Sequence, residues 1–237
     1  MKNLIIDAHE SWNEFLNRES IKIELDSIDT FLTGKNYNPL NKNILRFLKN
    51  DLSKVKVVII GQDTYPARGV ATGRAFEVGG LESWFDSFRQ ISLKNIVRNL
   101  YGSYTDKTSY TSFNEIKKEI YTGSFDILAP NQLFENWENQ GVLLLNGALT
   151  CEVGEPGSHS DMWRKFMIET FKYISEYNKE IIFFLWGAYA NSFKDILNDN
   201  KIYSSRHPMM CSIKYPDDFL KNRCFYDTKH LINWLGT

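Results

Sequence analysis

Three short runs, VKVVII (55–60), GVLLLN (141–146) and EIIFFLW (180–186), are apolar at consecutive positions rather than alternate ones. A strand solvated on one face alternates polar with apolar side chains. Continuous apolarity over so few residues is the pattern of parallel strands covered on both faces. KIYSS (201–205) is a weaker fourth run. The intervening segments FRQISLKNIVRNLYG, SDMWRKFMIETFKYISEYN and AYANSFKDILND place apolar residues at helical spacing. Strands alternating with helices predict an α/β fold, a three-layer α/β/α sandwich around a central four-stranded, mainly parallel sheet.

Ahead of the first strand, WNEFLNRE, IELDSIDTFLTG and LNKNILRFLKNDL also read as helices, the second closed by Gly34. Residues 103–131 fit the alternation least well and read as a surface excursion with one short helix. No repeat, low-complexity tract or linker divides the 237 residues, so one domain spanning 1–237 is expected. No apolar run approaches the roughly 20 residues that cross a bilayer, and MKNLIIDAHESW turns polar too early for a signal peptide. Cys151, Cys211 and Cys224 lack CxxC spacing, which indicates neither a disulfide framework nor a zinc site. A cytoplasmic protein with reduced thiols is the expectation.

In open α/β sheets ligands bind beyond the carboxyl ends of the strands. The first run leads into Gln62, Asp63 and Tyr65, the second ends at Asn146, and KIYSS leads into His207 and Pro208. A parallel sheet would bring this acid, carboxamide and imidazole to one crevice. Taken singly, each has a plainer explanation: Asp caps helices, Asn-Gly makes turns, and His-Pro is a common loop dipeptide.

GQDTYP, GRAFEV, LLLNGALT, GEPGSH, FFLWG and HPMMCS occur in that order. As a set they resemble the motifs of family 1 uracil-DNA glycosylases, and the similarity runs over most of the chain. Residues 103–131 look like an insertion relative to compact members. The resemblance implies a monofunctional hydrolase that cleaves the N-glycosidic bond of deoxyuridine in DNA, leaves an abasic site, and uses no metal or cofactor. The target base must first leave the stack, at a cost of a few kcal/mol.

By the same resemblance Asp63 orients the attacking water and stabilises the oxocarbenium-like sugar, and His207 donates to the uracil O2. Asn146 reads the base edge, Phe76 stacks on the ring, Tyr65 blocks the thymine methyl, and Gln62 lines the pocket. Ser92, Ser158 and Ser212 fall in loops that pinch the DNA backbone, and Met210 and Cys211 stand where the family inserts an apolar wedge. His159 follows Ser158 in the same loop and reads equally well as a helix cap or a packing residue. Short hydroxyl and backbone donors would reconcile DNA binding with a net charge of only −1. Scattered cations such as Lys201, Arg206, Lys214 and Lys221 read, on that feature alone, as a solvated face.

The chain departs from the family in two places. Thr64 and Pro66 stand where GQDPYH has proline and histidine, and Met209, Met210 and Cys211 replace the serine, proline and leucine of HPSPLS. A small cysteine at the wedge position predicts a preference for uracil in single strands. Arg74 replaces a leucine and reads as either a cation at the pocket rim or an exposed side chain. A monomer is expected, with a proteinaceous glycosylase inhibitor or a replication protein as further partners. The competing reading is a catalytically weak, glycosylase-fold scaffold that binds DNA or a replication protein.

Overall fold

The computed structural model describes residues 3–197 and 199–237. Its central sheet has strands β1 (Val57–Asp63), β2 (Val142–Ala148), β3 (Ile182–Trp186) and β4 (Ile202–Ser205). Their spatial order is β2-β1-β3-β4, and every pairing is parallel. Register aligns Gly61 with Asn146 and Asp63 with Ala148, so the β1 and β2 ends lie side by side.

The six principal helices are α1 (Glu19–Leu32), α2 (Ile91–Tyr104), α3 (Phe113–Thr122), α4 (Pro130–Asn139), α5 (Ser160–Tyr177) and α6 (Cys224–Thr228). Val58, Ile60, Leu143, Leu145, Phe183 and Leu185 face one core with residues of α1 and α5. Val57, Ile59, Val142, Leu144, Ile182 and Phe184 face the other, with residues of α2, α3, α4 and α6. Successive strand side chains point to opposite faces, and both faces are covered, which accounts for the unbroken apolar runs.

Two of the expected helices are divided. LNKNILRFLKNDL forms helical turns at Asn41–Ile44, Arg46–Lys49 and Leu52–Lys54. The Leu48 carbonyl accepts from His9 N (2.8 Å), and Leu52 N donates to Ser11 Oγ (2.9 Å). These tertiary bonds take the very groups that a continuous helix would pair. AYANSFKDILND forms Ala188–Asn191 and a turn at Lys194–Ile196, and its Asn198 lies outside the described residues.

Residues 103–131 are more than the expected surface excursion. Ser112 and Glu115 form a reciprocal capping box that starts α3. Phe113, Ile116, Phe125 and Ile127 are buried in the second core, so this segment forms part of its outer wall. No described helix is long and apolar enough to cross a membrane.

Candidate active site

Beyond the carboxyl ends of the strands lies a cavity of about 240 Å³, lined by Gln62, Asp63, Tyr65, Phe76, Ser92, Asn146 and His207. The divergent Thr64, Pro66 and Met209 line it too. Seven of the sequence-derived site residues therefore meet, while Ser158, Met210, Cys211 and Ser212 lie outside the lining. The reversal of strand order between β1 and its two neighbours opens such a crevice.

Asp63 ends β1. Ser160, in the first turn of α5, donates from Oγ to Asp63 Oδ1 at 3.0 Å. Burial raises the Asp63 carboxyl above its ordinary value, opposed by hydrogen bonds from Ser160 and Gln62. Sequence reading passed over Ser160, although it sits two residues after Ser158 in the same GSHS stretch.

Asn146 is only 5% exposed and lines the cavity. A carboxamide there offers both donors and an acceptor to a ligand. It lies against Gly61, where an added Cβ would sit 2.3 Å from Asn146 Oδ1. Glycine is required at 61 for this packing.

Phe76 is the one described non-glycine residue with positive φ, at +66°. Such left-handed strain in a bulky residue persists where surroundings impose it, commonly at functional sites. Its ring centroid lies 5.3 Å from that of Trp186 and 6.0 Å from that of His207. Tyr65 closes the same wall and donates its hydroxyl to the Phe76 carbonyl at 3.5 Å. Burial raises the Tyr65 phenol, which keeps it neutral.

His207 follows β4. Gly187, with φ +96°, makes room for it, since an added Cβ would lie 3.0 Å from His207 Cβ. Met209 donates its backbone N–H to His207 Nδ1 at 3.1 Å. An accepting Nδ1 leaves the proton on Nε2, and burial lowers the imidazole below its usual value. The result is a neutral ring whose Nε2 is the donor.

The loop carrying His207 is braced from below. Asn95 of α2 donates to the Pro208 carbonyl at 2.6 Å, and Ser212 N donates to Asp218 Oδ2 at 2.6 Å. Tyr110 donates its hydroxyl to the same Asp218 oxygen at 2.9 Å, while Arg98 holds the Tyr110 and Thr111 carbonyls. Cys211 donates to the Pro208 carbonyl (3.2 Å) and packs half-buried on the second core. The exposed apolar side chains of this loop are Met209, Met210 and Ile213.

Ser158 is exposed, yet its hydroxyl already accepts from Glu152 N and donates to the Glu155 carbonyl, both at 2.8 Å. His159 is buried. Its Nδ1 lies 2.8 Å from Thr150 Oγ1, which also accepts from Trp163 Nε1 (2.7 Å), and Phe31 packs edge-on against it. Packing describes it, since its side chain makes no capping bond to α5. Neither expectation for Arg74 holds. Its side chain, 9% exposed, is held in an ion-pair network with Glu77 and Glu138, and Glu138 also binds Arg46 at 3.2 Å.

Pro66 replaces a histidine, but its carbonyl accepts from Asn38 Nδ2 (2.8 Å) and Gly154 N (3.0 Å), which anchors the strand-end loop. Thr64 is buried, and its carbonyl accepts from Cys151 Sγ at 3.5 Å. The divergent side chains therefore leave the backbone of this loop well held.

No family model matches the chain. A uracil-DNA glycosylase of Azotobacter vinelandii is 32% identical over 228 residues, covering 93% of this chain and 84% of that protein. Another, from Borreliella burgdorferi, is 31% identical over 235 residues, covering 95% and 91%. Among solved structures, the wild-type glycosylase of Nitratifractor salsuginis superposes with a TM-score of 0.72 at 22% identity, over 96% of this chain and 92% of that one. Mimivirus uracil-DNA glycosylase gives 0.64 at 21% identity, over 87% and 70%. With a shared fold, and with relatives above 30% identity that it covers nearly end to end, the chain belongs to the uracil-DNA glycosylase family.

Proposed function

We propose that this protein is a DNA-repair hydrolase that removes uracil from DNA. The observation that carries the proposal is the convergence of Asp63, Phe76, Asn146 and His207 on one cavity. A deoxyuridine swung out of the stack would enter it, and Phe76 would cover one face of the base. The carboxamide of Asn146 would accept from uracil N3–H and donate to O4, whereas cytosine offers the opposite polarity at position 4. Tyr65 would occupy the space a thymine methyl needs.

As the N-glycosidic bond breaks, its electron pair leaves with the base and positive charge develops on the sugar. Asp63 would stabilise that charge and orient the water that adds to C1′. His207 Nε2–H would donate to O2 of the leaving uracilate. Both interactions strengthen toward the transition state, and that difference is what accelerates the reaction. The water supplies hydroxide to the sugar and, in the end, a proton to the base.

Ser92 at the α2 N-terminus and Ser212 would meet DNA phosphates, Ser158 would do so on releasing the Glu155 carbonyl, and Met210 takes the wedge role because Cys211 is turned inward. The protein would act as a monomer in the cytoplasm and favour single-stranded uracil, because methionine is a pliable wedge for a duplex. A mimivirus glycosylase variant forms a complex with UGI, and a similar protein inhibitor is a proposed partner here. Release of labelled uracil from single strands and from matched duplexes tests the reading. Faster release from single strands is expected. Equal rates would remove the strand preference, and no release under enzyme excess would favour a DNA-binding scaffold.

A further inference from the structure

We propose that the outer face of α3 extends the nucleic-acid track, binding the single strand that flanks the target nucleotide. This rests on the proposed function, since it takes the same substrate. Phe85 is 51% exposed and Tyr121 82%, and their ring centroids lie 6.1 Å apart in an edge-on pair. Together with Asn114, Lys117, Lys118 and Thr122 they line an open groove of about 470 Å³. The groove thus joins two aromatic rings to two ammonium groups, with no carboxylate in its lining.

The acids of α3 are engaged elsewhere. Glu115 serves the Ser112 cap, and Glu119 binds Tyr101 and Lys107. Neither Lys117 nor Lys118 forms an ion pair among the described residues, although Lys117 Nζ lies 5.9 Å from the Phe113 ring centroid and Lys118 helps to lower the Glu115 carboxyl. Of the nearby acids, Asp86 accepts the Ser83 and Glu82 N–H groups, and Glu82 is exposed. Unpaired ammonium groups beside exposed aromatic rings suit a strand whose phosphates are anionic and whose bases stack.

One stretch of chain connects this groove to the base pocket. Phe85 lines the groove, residues 86–90, with the carboxylate of Asp86 among them, line a second cavity of about 360 Å³, and Ser92 lines the pocket. Exposed Arg89, and Lys94 seated 5.0 Å from the Phe88 ring, add cations along the way. Even fully extended, the seven steps from Phe85 to Ser92 span at most about 25 Å. A strand stacked at the duplex spacing of about 3.4 Å would cover that length in at most about seven nucleotides, and a more extended one in fewer.

The test uses single strands of about 6 and about 24 nucleotides carrying one deoxyuridine, the longer reaching past the groove at the spacing above. The full-length protein and the variants Tyr121→Ala and Lys117→Ala/Lys118→Ala are compared by fluorescence anisotropy on the intact strands and by uracil release. Wild type is expected to bind the long strand more tightly than the short one. Tyr121→Ala should weaken the long strand by about tenfold, the size of losing one stacked base, and leave the short strand unchanged. The double lysine variant should lower the slope of log K against log salt on the long strand by about 1.4. Unchanged long-strand binding in both variants would overturn the proposal, as would equal losses on both lengths. Absent uracil release with length-dependent binding intact would count against the proposed chemistry and leave the track standing.

Discussion

The Met209 backbone N–H points at His207 Nδ1 across 3.1 Å, and this contact fixes the protonation state of the ring. Charging the imidazole would put a proton on Nδ1 against that donor, and burial already disfavours the charge. Nitrogen-detected NMR at about pH 7 should therefore show a neutral ring protonated at Nε2. The folded-state pKa lies below that of the unfolded chain, near 6.5, so the unfolded chain takes up the proton first as pH falls. This contribution to stability is full above that value and is lost as pH drops toward the folded-state pKa. A His207→Gln variant should lose stability less steeply over that window, and an imidazolium at neutral pH would contradict the assignment.

Ser160→Ala removes a donor from Asp63 and leaves burial unopposed on that side. The Asp63 carboxyl should rise further, so the acid limb of kcat/KM moves to higher pH while the plateau falls by about tenfold. A pH-rate profile of wild type and variant checks this. An unshifted limb would show that Ser160 does not act through Asp63.

Gly61→Ala drives a methyl into the Asn146 carboxamide. Displacing a recognition group by about 1 Å can cost 10²-fold in rate, and a loss of that order in kcat/KM is expected. Uracil release by the purified variant measures it. Activity within a factor of about two of wild type would mean that Asn146 is not held in place by Gly61.

Tyr110→Phe deletes one of the hydrogen bonds to the buried Asp218 carboxylate that anchors Ser212. A bond to a charged acceptor is worth about 1.5–3 kcal/mol, so chemical denaturation should show a loss in that range. Because the braced loop carries Met209 and Met210, affinity for duplex substrate should fall more than affinity for single strands. Equal effects on both would assign Tyr110 to general stability alone.

Much of this was legible in the sequence. The parallel sheet was written in side chains that had to be apolar on both faces, and Asp63, Asn146 and His207 were visible because each stands at or just beyond the end of such a run, although β2 continues through Asn146 to Ala148. What sequence could not convey were partners made by folding. Ser160 reaches Asp63 across 97 positions, and Tyr110 reaches Asp218 across 108. Arg74 looked like a rim or surface cation because Glu138, its partner 64 residues away, carries no local signal. Cys211 stood at the wedge position in the motif, and its inward turn toward the Pro208 carbonyl is a property of the folded loop.

The proposed chemistry depends on Asp63 as the charge that meets the developing sugar cation. The most direct measurement is the single-turnover rate of uracil release by wild type and Asp63→Asn, with affinity for the same strand measured alongside. Loss of a preorganised transition-state contact predicts a fall of about 10²–10³-fold in rate with affinity little changed. Equal rates for the two proteins would contradict the assignment of the chemistry to this site.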